Sequence, residues 1–297
     1  MVPGTIAEAD ALRYHARPMP ELPEVETVRR ALARALSGQR LSHVHVRRHD
    51  LRVPLPRDFV RRLESRRVRK VARRAKFLLV HLDGGEVLVA HLGMSGRMRL
   101  FKKPAPKAER HDHVEIETGT RVLRFNDPRR FGLMALVRKD KLDEHKWFRA
   151  LGPEPLAKDF TGPRLAERLK GRKISLKAAL MDQRIVAGLG NIYVSEAMFR
   201  AGLSPRRRAG SVQGALAGKL ARAIKSVLRA AIAAGGSSLR DHRRPSGELG
   251  YFQHHFAVYG RAGERCPGCT CDVKKTGGIK RLVQGGRATF YCPRKQK

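Results

Sequence analysis

Acidic residues are scarce in this 297-residue chain, which has 27 Asp and Glu against 63 Lys and Arg and a formal net charge of +36. Such an imbalance destabilises a compact fold by self-repulsion unless a polyanion lies nearby. Of the cations, 44 are arginines, whose guanidinium groups suit phosphate oxygens. A genome rich in G and C would explain the arginine excess, but it would not explain the shortage of acids. The composition therefore favours nucleic acid as the partner.

Long apolar runs are also missing, since no segment has the roughly 18–20 apolar residues that a membrane span needs. Residues 1–18 carry acids and arginines in place of the apolar centre of a secretory signal. There are four cysteines, all between 266 and 292, a grouping more typical of a metal knuckle than of a disulfide framework. We expect a soluble, monomeric protein of the cytoplasm with no membrane partner.

The spacing of apolar residues changes near Leu151. Before it, helical spacing predicts one helix, with Pro23 at its start and Gly38 just past its end. Strand-like segments follow at Val68–Leu82, Glu86–Phe101, Val114–Thr118, Arg121–Phe125 and Phe131–Val137. Beyond Leu151, helical spacing returns at Leu165–Leu169, Leu176–Met181, Ile192–Phe199 and Val212–Ala233.

These patterns predict an α+β multidomain protein, because one helix and many strands precede a run of helices. The parts are an N-terminal β-sandwich with a leading helix, a C-terminal helical domain and a small cysteine-bearing β-hairpin. Their predicted bounds are 1–19 for an extension, 20–150 for the sandwich, 151–162 for a linker rich in proline and glycine, 163–261 for the helical domain and 262–297 for the hairpin.

The segment PELPEVE, beginning at Pro20, has two possible interpretations. It is an ordinary helix start, with acids in the first turn where the helix dipole favours them. Alternatively, if Met19 were the initiator and were removed, Pro20 would offer a secondary amine with a pKa near the roughly 7.7–8.0 of an α-amino group. Such an amine can attack a sugar C1′ and form an iminium that acts as an electron sink. Glu21 beside it could then move protons.

From Met19 to its end, the chain resembles formamidopyrimidine-DNA glycosylase, the bacterial family that excises 8-oxoguanine and ring-opened purines. The motifs that carry the resemblance, in chain order, are PELPEVE, RRAKFLL, HLGMSG, HDH, NDPRRFG, LMDQRIVAGLGNIYVSE, GYFQHHFAVYGR and GRATFYC. Any one would be weak evidence, but eight in the right order are specific. The related endonuclease VIII type starts PEGPE, whereas Leu22 here fits the enzyme for oxidised purines.

The resemblance implies catalytic roles for four residues. Pro20 would be the Schiff-base nucleophile, and Glu21 the acid and base that help to open the sugar. Lys76 would donate a proton in β-elimination and contact the lesion or its phosphate. Without the motif, Lys76 would be a strand lysine whose stem lies along apolar surface. Arg287, at the tip of the hairpin, would contact DNA and act in δ-elimination.

The resemblance also implies that Met94, Arg129 and Phe131 fill the gap left when the damaged nucleotide leaves the duplex, with the arginine facing the orphaned cytosine. Apolar wedges offset the few kcal/mol that unstacking costs. Plain core packing is the other interpretation of Met94 and Phe131. His111 would contact DNA. We do not favour a metal site at HDH, because a strand places both histidines on one side and Asp112 on the other.

The segment LMDQRIVAGLGNIYVSE resembles the family's helix–two-turns–helix element. Gly188 and Gly190 would allow a tight turn, after which a helix start would direct its amides toward phosphate. Asn191 and Tyr193 would lie at that contact, with Arg172 and Lys173 nearby. A helix hairpin that binds nothing is the alternative, and the charge of +36 disfavours it.

The 18 residues before Met19 depart from the family pattern. An internal Pro20 has an amide nitrogen, which is not nucleophilic, so a chain that retains Met1 to Pro18 should lack the lyase chemistry. We therefore expect translation to start at Met19, or the extension to be removed.

The cysteines depart as well. The family's zinc pattern is C-x2-C, a hairpin, then C-x2-C. Cys266, Cys269 and Cys292 match it as expected ligands of one zinc ion, but Lys295 stands at the fourth position and is a poor ligand. Cys271 could substitute, although it lies on the first knuckle. Both zinc-bound and zinc-free hairpins remain open at this point.

The sequence thus predicts a bifunctional DNA glycosylase and AP lyase of base-excision repair. It would remove oxidised purines from double-stranded DNA through Pro20 and cut the strand by β,δ-elimination. Two alternatives remain: a non-catalytic DNA-binding or lesion-sensing protein, if Pro20 is not the N-terminus, and a relative that acts on oxidised pyrimidines.

Overall fold

The computed structural model describes residues 19–237, 245, 250–268, 270 and 272–297. The predicted extension before Met19 lies outside these residues. Helix α1 spans Leu22–Leu36 and begins with a capping box between Glu21 and Glu24. Its apolar stripe is buried, and the chain leaves the helix through Gly38 in the left-handed region, with φ +80°. The predicted leading helix is therefore confirmed.

Two four-stranded antiparallel sheets form the N-terminal part. One has the order β1-β6-β7-β5 and the other β2-β3-β4-β8. Their strands are β1 His43–Val46, β2 Val68–Arg74, β3 Phe77–Leu82, β4 Glu86–His91, β5 Arg97–Lys102, β6 Asp112–Glu117, β7 Arg121–Asn126 and β8 Leu133–Arg138. Apolar residues of both sheets share one buried cluster with α1 and with the short helix α2, Phe59–Leu63. This arrangement is the predicted β-sandwich.

Two predicted strand segments are divided in the structure. Val68–Leu82 becomes β2 and β3, joined at Ala75 and Lys76, where Ala75 has φ +52°. Glu86–Phe101 becomes β4 and β5, separated by a turn that contains Met94. The apolar pattern does not predict such turns, because the residues in them are as buried as those of the strands. The first of these turns contains Lys76 and the second contains Met94, and the sequence predicts a functional role for both residues.

Four helices form the second core, at the positions that the apolar spacing predicted. They are α3 Gly162–Leu169, α4 Leu176–Met181, α5 Asn191–Ala201 and α6 Gly214–Ala233. Thr161 and Ser175 cap α3 and α4 with their side chains. Val212, predicted within the last helix, is buried just before it. Leu22 of α1 also joins this second core, so the leading helix contributes to both.

The chain ends in a β-hairpin of β9 Lys280–Gln284 and β10 Arg287–Tyr291, preceded by the short helix α7 Val273–Thr276. The hairpin packs through a small apolar cluster against Phe199 of α5. The predicted α+β class is thus confirmed, while the residue bounds of the domains stay a prediction. Among the described residues, no helix has the length and apolarity that crossing a membrane requires.

Glu154 connects the segment after the sandwich to the β2–β3 turn. Its carboxylate accepts hydrogen bonds from Arg73 at 2.8 Å, Arg74 at 3.2 Å and the backbone amide of Ala75 at 2.5 Å. These three donors fix the residue just before Lys76. Glu154 therefore determines the position of the lysine as well as the path of the chain between the two cores.

Replacing Glu154 by Gln should lower the free energy of unfolding by about 1–2 kcal/mol, because charge-assisted hydrogen bonds at a half-buried site are lost. Urea unfolding measures the difference. Glu144→Gln is the matched control, since Glu144 is exposed and pairs with Lys141, and we expect a change within about 0.5 kcal/mol. Equal stability of the two variants would contradict this role for Glu154.

Candidate active site and nucleic-acid interface

The Glu21 carboxylate lies where the N-termini of α1 and α5 meet. The backbone amides of Ile192 and Tyr193 donate to its two oxygens, at 3.0 and 3.4 Å. Leu22 completes the junction by donating its amide to the carbonyl of Gly188 at 3.1 Å. A carboxylate at a helix N-terminus is stabilised by the unpaired amides of the first turn. The junction thus holds an ionisable side chain in a buried position.

Two glycines make this junction possible. A Cβ on Gly190 would lie 2.2 Å from the carboxyl carbon of Glu21, and one on Gly188 would lie 2.7 Å from Leu22 Cδ1. Gly188 also has φ +83°, which favours glycine. The sequence predicts that these glycines allow a tight turn and that the amides of the following helix face phosphate. In the structure, the first α5 amides that follow them donate hydrogen bonds to Glu21.

Glu24 forms a second buried carboxylate one turn along α1. It accepts hydrogen bonds from the amide of Glu21 at 3.0 Å, from the hydroxyl of Tyr193, and from the amide and hydroxyl of Ser237 at 2.8 and 3.0 Å. Sequence analysis missed Glu24, although its spacing from Glu21 is the signal of a capping box. It joins α1, α5 and the segment after α6.

The side chain of Tyr193, predicted to lie at a DNA contact, is buried in the structure. Tyr193 has no exposed surface, and burial together with the nearby Glu24 carboxylate raises its pKa well above the usual range. Its hydroxyl is already paired with Glu24. The ring belongs to the apolar core of the helices, so it supports the site from within.

Burial raises the pKa of Glu21 to about 7, against an opposing attraction from Lys76. Burial also lowers the pKa of Lys76, with Glu21 acting in the opposite direction and Arg287 adding a repulsion. Pro20 is buried directly before Glu21. The structure therefore brings the predicted residues Glu21, Lys76 and Arg287 into one electrostatic environment, at the end of the helix that begins next to Pro20.

Lys177 is a buried cation that sequence analysis did not select. Its ammonium donates to the carbonyl of Ala288 at 3.1 Å and to the hydroxyl of Thr289 at 2.5 Å. Burial and the nearby Arg287 lower its pKa, Glu21 acts in the opposite direction, and the resulting pKa is about 8. A lysine inside the apolar helix LKAALM was the available signal, because cations are seldom fully buried without a role.

Asn191, a predicted DNA contact, donates from Nδ2 to the same Ala288 carbonyl at 2.9 Å. Within the described part of the chain, its Oδ1 is buried without a hydrogen-bond partner. Lys177 and Asn191 together hold the first residues of β10, directly after Arg287. Both helix starts, α4 and α5, thereby support the tip of the hairpin.

The predicted wedge residues lie on two turns that Asp127 ties together. Asp127 accepts from the hydroxyl of Ser95 at 2.5 Å and from the amide of Gly132 at 2.7 Å, and its own amide donates to the carbonyl of His111 at 3.0 Å. Gly93 is required here, because a Cβ on it would lie 2.4 Å from the Phe131 carbonyl carbon. The motifs HLGMSG, HDH and NDPRRFG thus meet at Asp127.

Phe131 is 43% exposed, so core packing does not explain it. The guanidinium of Arg129 lies over its ring at 4.6 Å from the centroid, and Arg129 is itself exposed. Met94 is partly exposed. An exposed ring, an arginine and a flexible thioether on linked turns are what an intercalating wedge needs.

The HDH segment supports these turns and, among the described residues, forms no metal group. The ring of His113 is hydrogen-bonded to the carbonyl of Asp127 at 2.8 Å, and the buried Asp112 accepts from Asn126 at 2.9 Å. His111 remains partly exposed. Arg172 and Lys173 are exposed in the loop between α3 and α4, and no contact within the described ranges links them to Glu21.

Two of the expected zinc ligands, Cys266 and Cys292, are buried in the apolar cluster of the hairpin. Cys269 and Cys271 lie outside the described residues. Across the part of the chain that the structure describes, no group of three or more His, Cys, Asp or Glu side chains could hold a metal ion. Lys295, at the family's fourth position, offers an ammonium without a lone pair. Among the described residues, the thiols at this site are therefore two, fewer than the four ligands of a structural zinc site.

Comparisons with known proteins agree with this geometry. Residues 19–134 match the formamidopyrimidine-DNA glycosylase N-terminal domain, and residues 151–243 match the H2TH domain of the same family. The formamidopyrimidine-DNA glycosylase of Rhodospirillum rubrum is 57% identical over 286 residues, covering 94% of this chain and 100% of the relative. That of Rhodospirillum centenum is 53% identical with the same coverage.

Solved structures show the same likeness. The MutM (Fpg) protein from Thermus thermophilus is 43% identical with a TM-score of 0.81, covering 93% of this chain and 98% of that one. Two complexes of wild-type Lactococcus lactis Fpg, each 32% identical, cover 94% of this chain and 100% of theirs. One contains DNA with N7-benzyl-Fapy-dG, at a TM-score of 0.82, and the other contains DNA with an oxidised pyrimidine, at 0.83.

The raised pKa of Glu21 predicts a pH dependence of stability. A carboxyl whose folded pKa of about 7 exceeds its ordinary value of 4.5 binds more protons in the folded chain. The free energy of unfolding should therefore fall as pH rises through this window, by up to about 1.4 kcal/mol per pH unit. Glu21→Gln removes this loss, so its stability relative to the wild type should rise between pH 5 and 7.

Urea unfolding at pH 5, 6, 7 and 8 measures that difference. Glu26→Gln is the control, because burial raises the pKa of Glu26 but Arg29, Arg30 and Arg73 together lower it by more. The Glu26 carboxyl is ionised in both folded and unfolded chains above pH 5, so the difference in free energy of unfolding between Glu26→Gln and the wild type should not change with pH. If the difference for Glu21→Gln is also independent of pH, the pKa of Glu21 is not raised.

Proposed function

The chain belongs to the formamidopyrimidine-DNA glycosylase family, and we propose that Pro20, Glu21, Lys76 and Arg287 carry its base-excision chemistry. The activity is that of a DNA glycosylase with AP lyase activity, acting on oxidised purines in double-stranded DNA. The observation that supports this assignment best is the position of Glu21, whose buried carboxyl titrates near pH 7 directly beside Pro20. We place the reaction in the bacterial cytoplasm, on chromosomal DNA.

Pro20 attacks first. With its nitrogen free, the secondary amine adds to C1′ of the damaged nucleotide, and the bond from C1′ to the base breaks as the base takes up a proton. Ring opening then moves the C1′–O4′ electron pair onto O4′, which requires a proton, and leaves an iminium between Pro20 and C1′. Glu21 supplies that proton, because a pKa of about 7 leaves a useful fraction protonated at neutral pH.

Strand cleavage follows from the iminium. Removal of a C2′ proton sends its electron pair toward the cationic nitrogen, and the 3′ phosphate leaves by β-elimination. A second elimination releases the 5′ phosphate, and water returns the amine of Pro20. Lys76 and Arg287 bind the departing phosphates, and burial lowers the pKa of Lys76, which makes its ammonium a better proton donor. This assignment is consistent with the repulsion between the two cations, which a phosphate would relieve.

The duplex is held by the exposed residues of the two linked turns and the helix loops. Met94 and Phe131 fill the gap in the base stack, and Arg129 meets the base opposite the lesion. His111, Arg172, Lys173 and Asn191 contact the phosphate backbone, which contributes affinity but no sequence information. Cytosine opposite the lesion suits Arg129, because a guanidinium can donate to its O2 and N3 acceptors.

Borohydride trapping tests the nucleophile. The natively expressed protein, incubated with a duplex containing 8-oxoguanine opposite cytosine, should give a covalent adduct that peptide mass analysis locates on Pro20. Met19→Ala, translated from Met1, keeps Pro20 as an internal amide and should bind the duplex without being trapped. No wild-type adduct, with DNA binding intact, would instead support a protein that only binds or senses lesions.

Replacing Arg129 by Ala should reduce the preference for cytosine opposite the lesion over adenine by roughly 5- to 150-fold, which corresponds to the loss of about 1–3 kcal/mol for one base contact. Single-turnover excision on the two duplexes gives the ratio. Arg130→Ala is the control, because this neighbouring exposed arginine pairs with Asp50 and should leave the ratio unchanged. An unchanged ratio for Arg129→Ala would rule out the contact.

A further inference from the structure

The last six residues of the chain, 292–297, fold back on the end of helix α5; we call them the C-terminal clamp. Gln296 is buried, and its side chain accepts from the amide of Cys292 at 2.8 Å and donates to the carbonyl of Leu203 at 2.9 Å. The backbone of Lys297 pairs with Gly202 at 3.1 Å and with Ser204 at 3.0 Å. The clamp therefore joins the hairpin to the loop that follows α5 through protein hydrogen bonds.

Lys295 connects the clamp to the first knuckle of the hairpin. Its ammonium lies 4.4 Å from the ring centroid of Phe199 and 3.4 Å from the carbonyl oxygen of Pro267. The cation thus bridges α5 and the turn that follows Cys266. An ammonium over an aromatic face is attracted by the ring quadrupole, and its N–H groups are donors only.

The joined elements are those that a zinc ion connects in a four-cysteine knuckle, namely the turn after the first cysteines and the turn after the last. Here Cys266 and Cys292 lie in the apolar cluster with Phe199 and Phe290. The position from which a fourth thiolate would reach the metal carries a positive charge instead. A cation at that position opposes the approach of a divalent ion.

We propose that the hairpin of this chain docks without zinc, and that Lys295 and Gln296 hold its two ends together in place of a metal. The clamp then acts as a positioning element for Arg287, because β10 runs from Arg287 to the clamp and is fixed at its start by Lys177 and Asn191. This inference concerns the support of the hairpin and does not depend on the base-excision chemistry.

Metal content tests the proposal directly. The full chain, expressed in zinc-supplemented medium and purified without chelator, should contain well below one zinc per molecule, and its melting temperature should not change after treatment with 1,10-phenanthroline. Lys295→Cys completes the family's second C-x2-C pair and should bind about one zinc per chain, with a melting temperature that the chelator lowers. About one zinc in the wild type, with chelator-sensitive melting, would overturn the proposal.

A second set of variants tests the clamp itself. Lys295→Met keeps a long apolar stem but removes the cation, so thermolysin should cleave the hairpin severalfold faster than in the wild type, and Lys295→Arg should restore most of the protection. Lys297→Met is the control, because Lys297 contributes its backbone to the clamp. Equal protection of Lys295→Met and the wild type would show that the cation does not hold the hairpin.

Discussion

The hydrogen bonds from the first amides of α5 to the Glu21 carboxylate connect the two halves of this protein. They join residues 171 positions apart in sequence, and the space for them exists because Gly188 and Gly190 have no side chains. The start of α1 is thereby buried between two cores. The positions of Pro20 and Glu21, and the interaction of Lys76 with Glu21, depend on that burial. The chemistry that we propose for the site therefore depends on how the two halves pack.

Burial at this junction also sets the protonation of the site. In a chain with a formal charge of +36, cations would ordinarily hold a carboxyl pKa low. Desolvation is the larger effect on Glu21 and raises its pKa to about 7, while it lowers the pKa of Lys76 and brings that of Lys177 to about 8. Groups that titrate near neutral pH can exchange protons at little cost.

The residues that we propose to contact DNA depend on support of a different kind. The turns that carry Met94, Arg129 and Phe131 are exposed, and their shape comes from the fully buried Asp127 beneath them. Arg287 is likewise exposed on a hairpin whose position is set by Lys177, Asn191 and the clamp. In both cases a flexible contact residue is presented on a rigid, hydrogen-bonded base, which reduces the entropy lost on binding.

Local sequence was sufficient to establish the longer helices, most of the strands, the excess of positive charge and the identity of the motifs, because apolar periodicity and residue chemistry are local properties. It did not predict β1, α2 or α7, which are only four or five residues long. The resemblance carried by those motifs predicts the roles of Pro20, Glu21, Lys76 and the wedge residues. Long-range packing, in contrast, determined that Tyr193 supports the site from the core, that Glu24 and Lys177 join it, and that Lys295 lies on Phe199. These contacts depend on which segments, distant in sequence, pack together and exclude water. The local spacing of residues carries no information about such long-range packing.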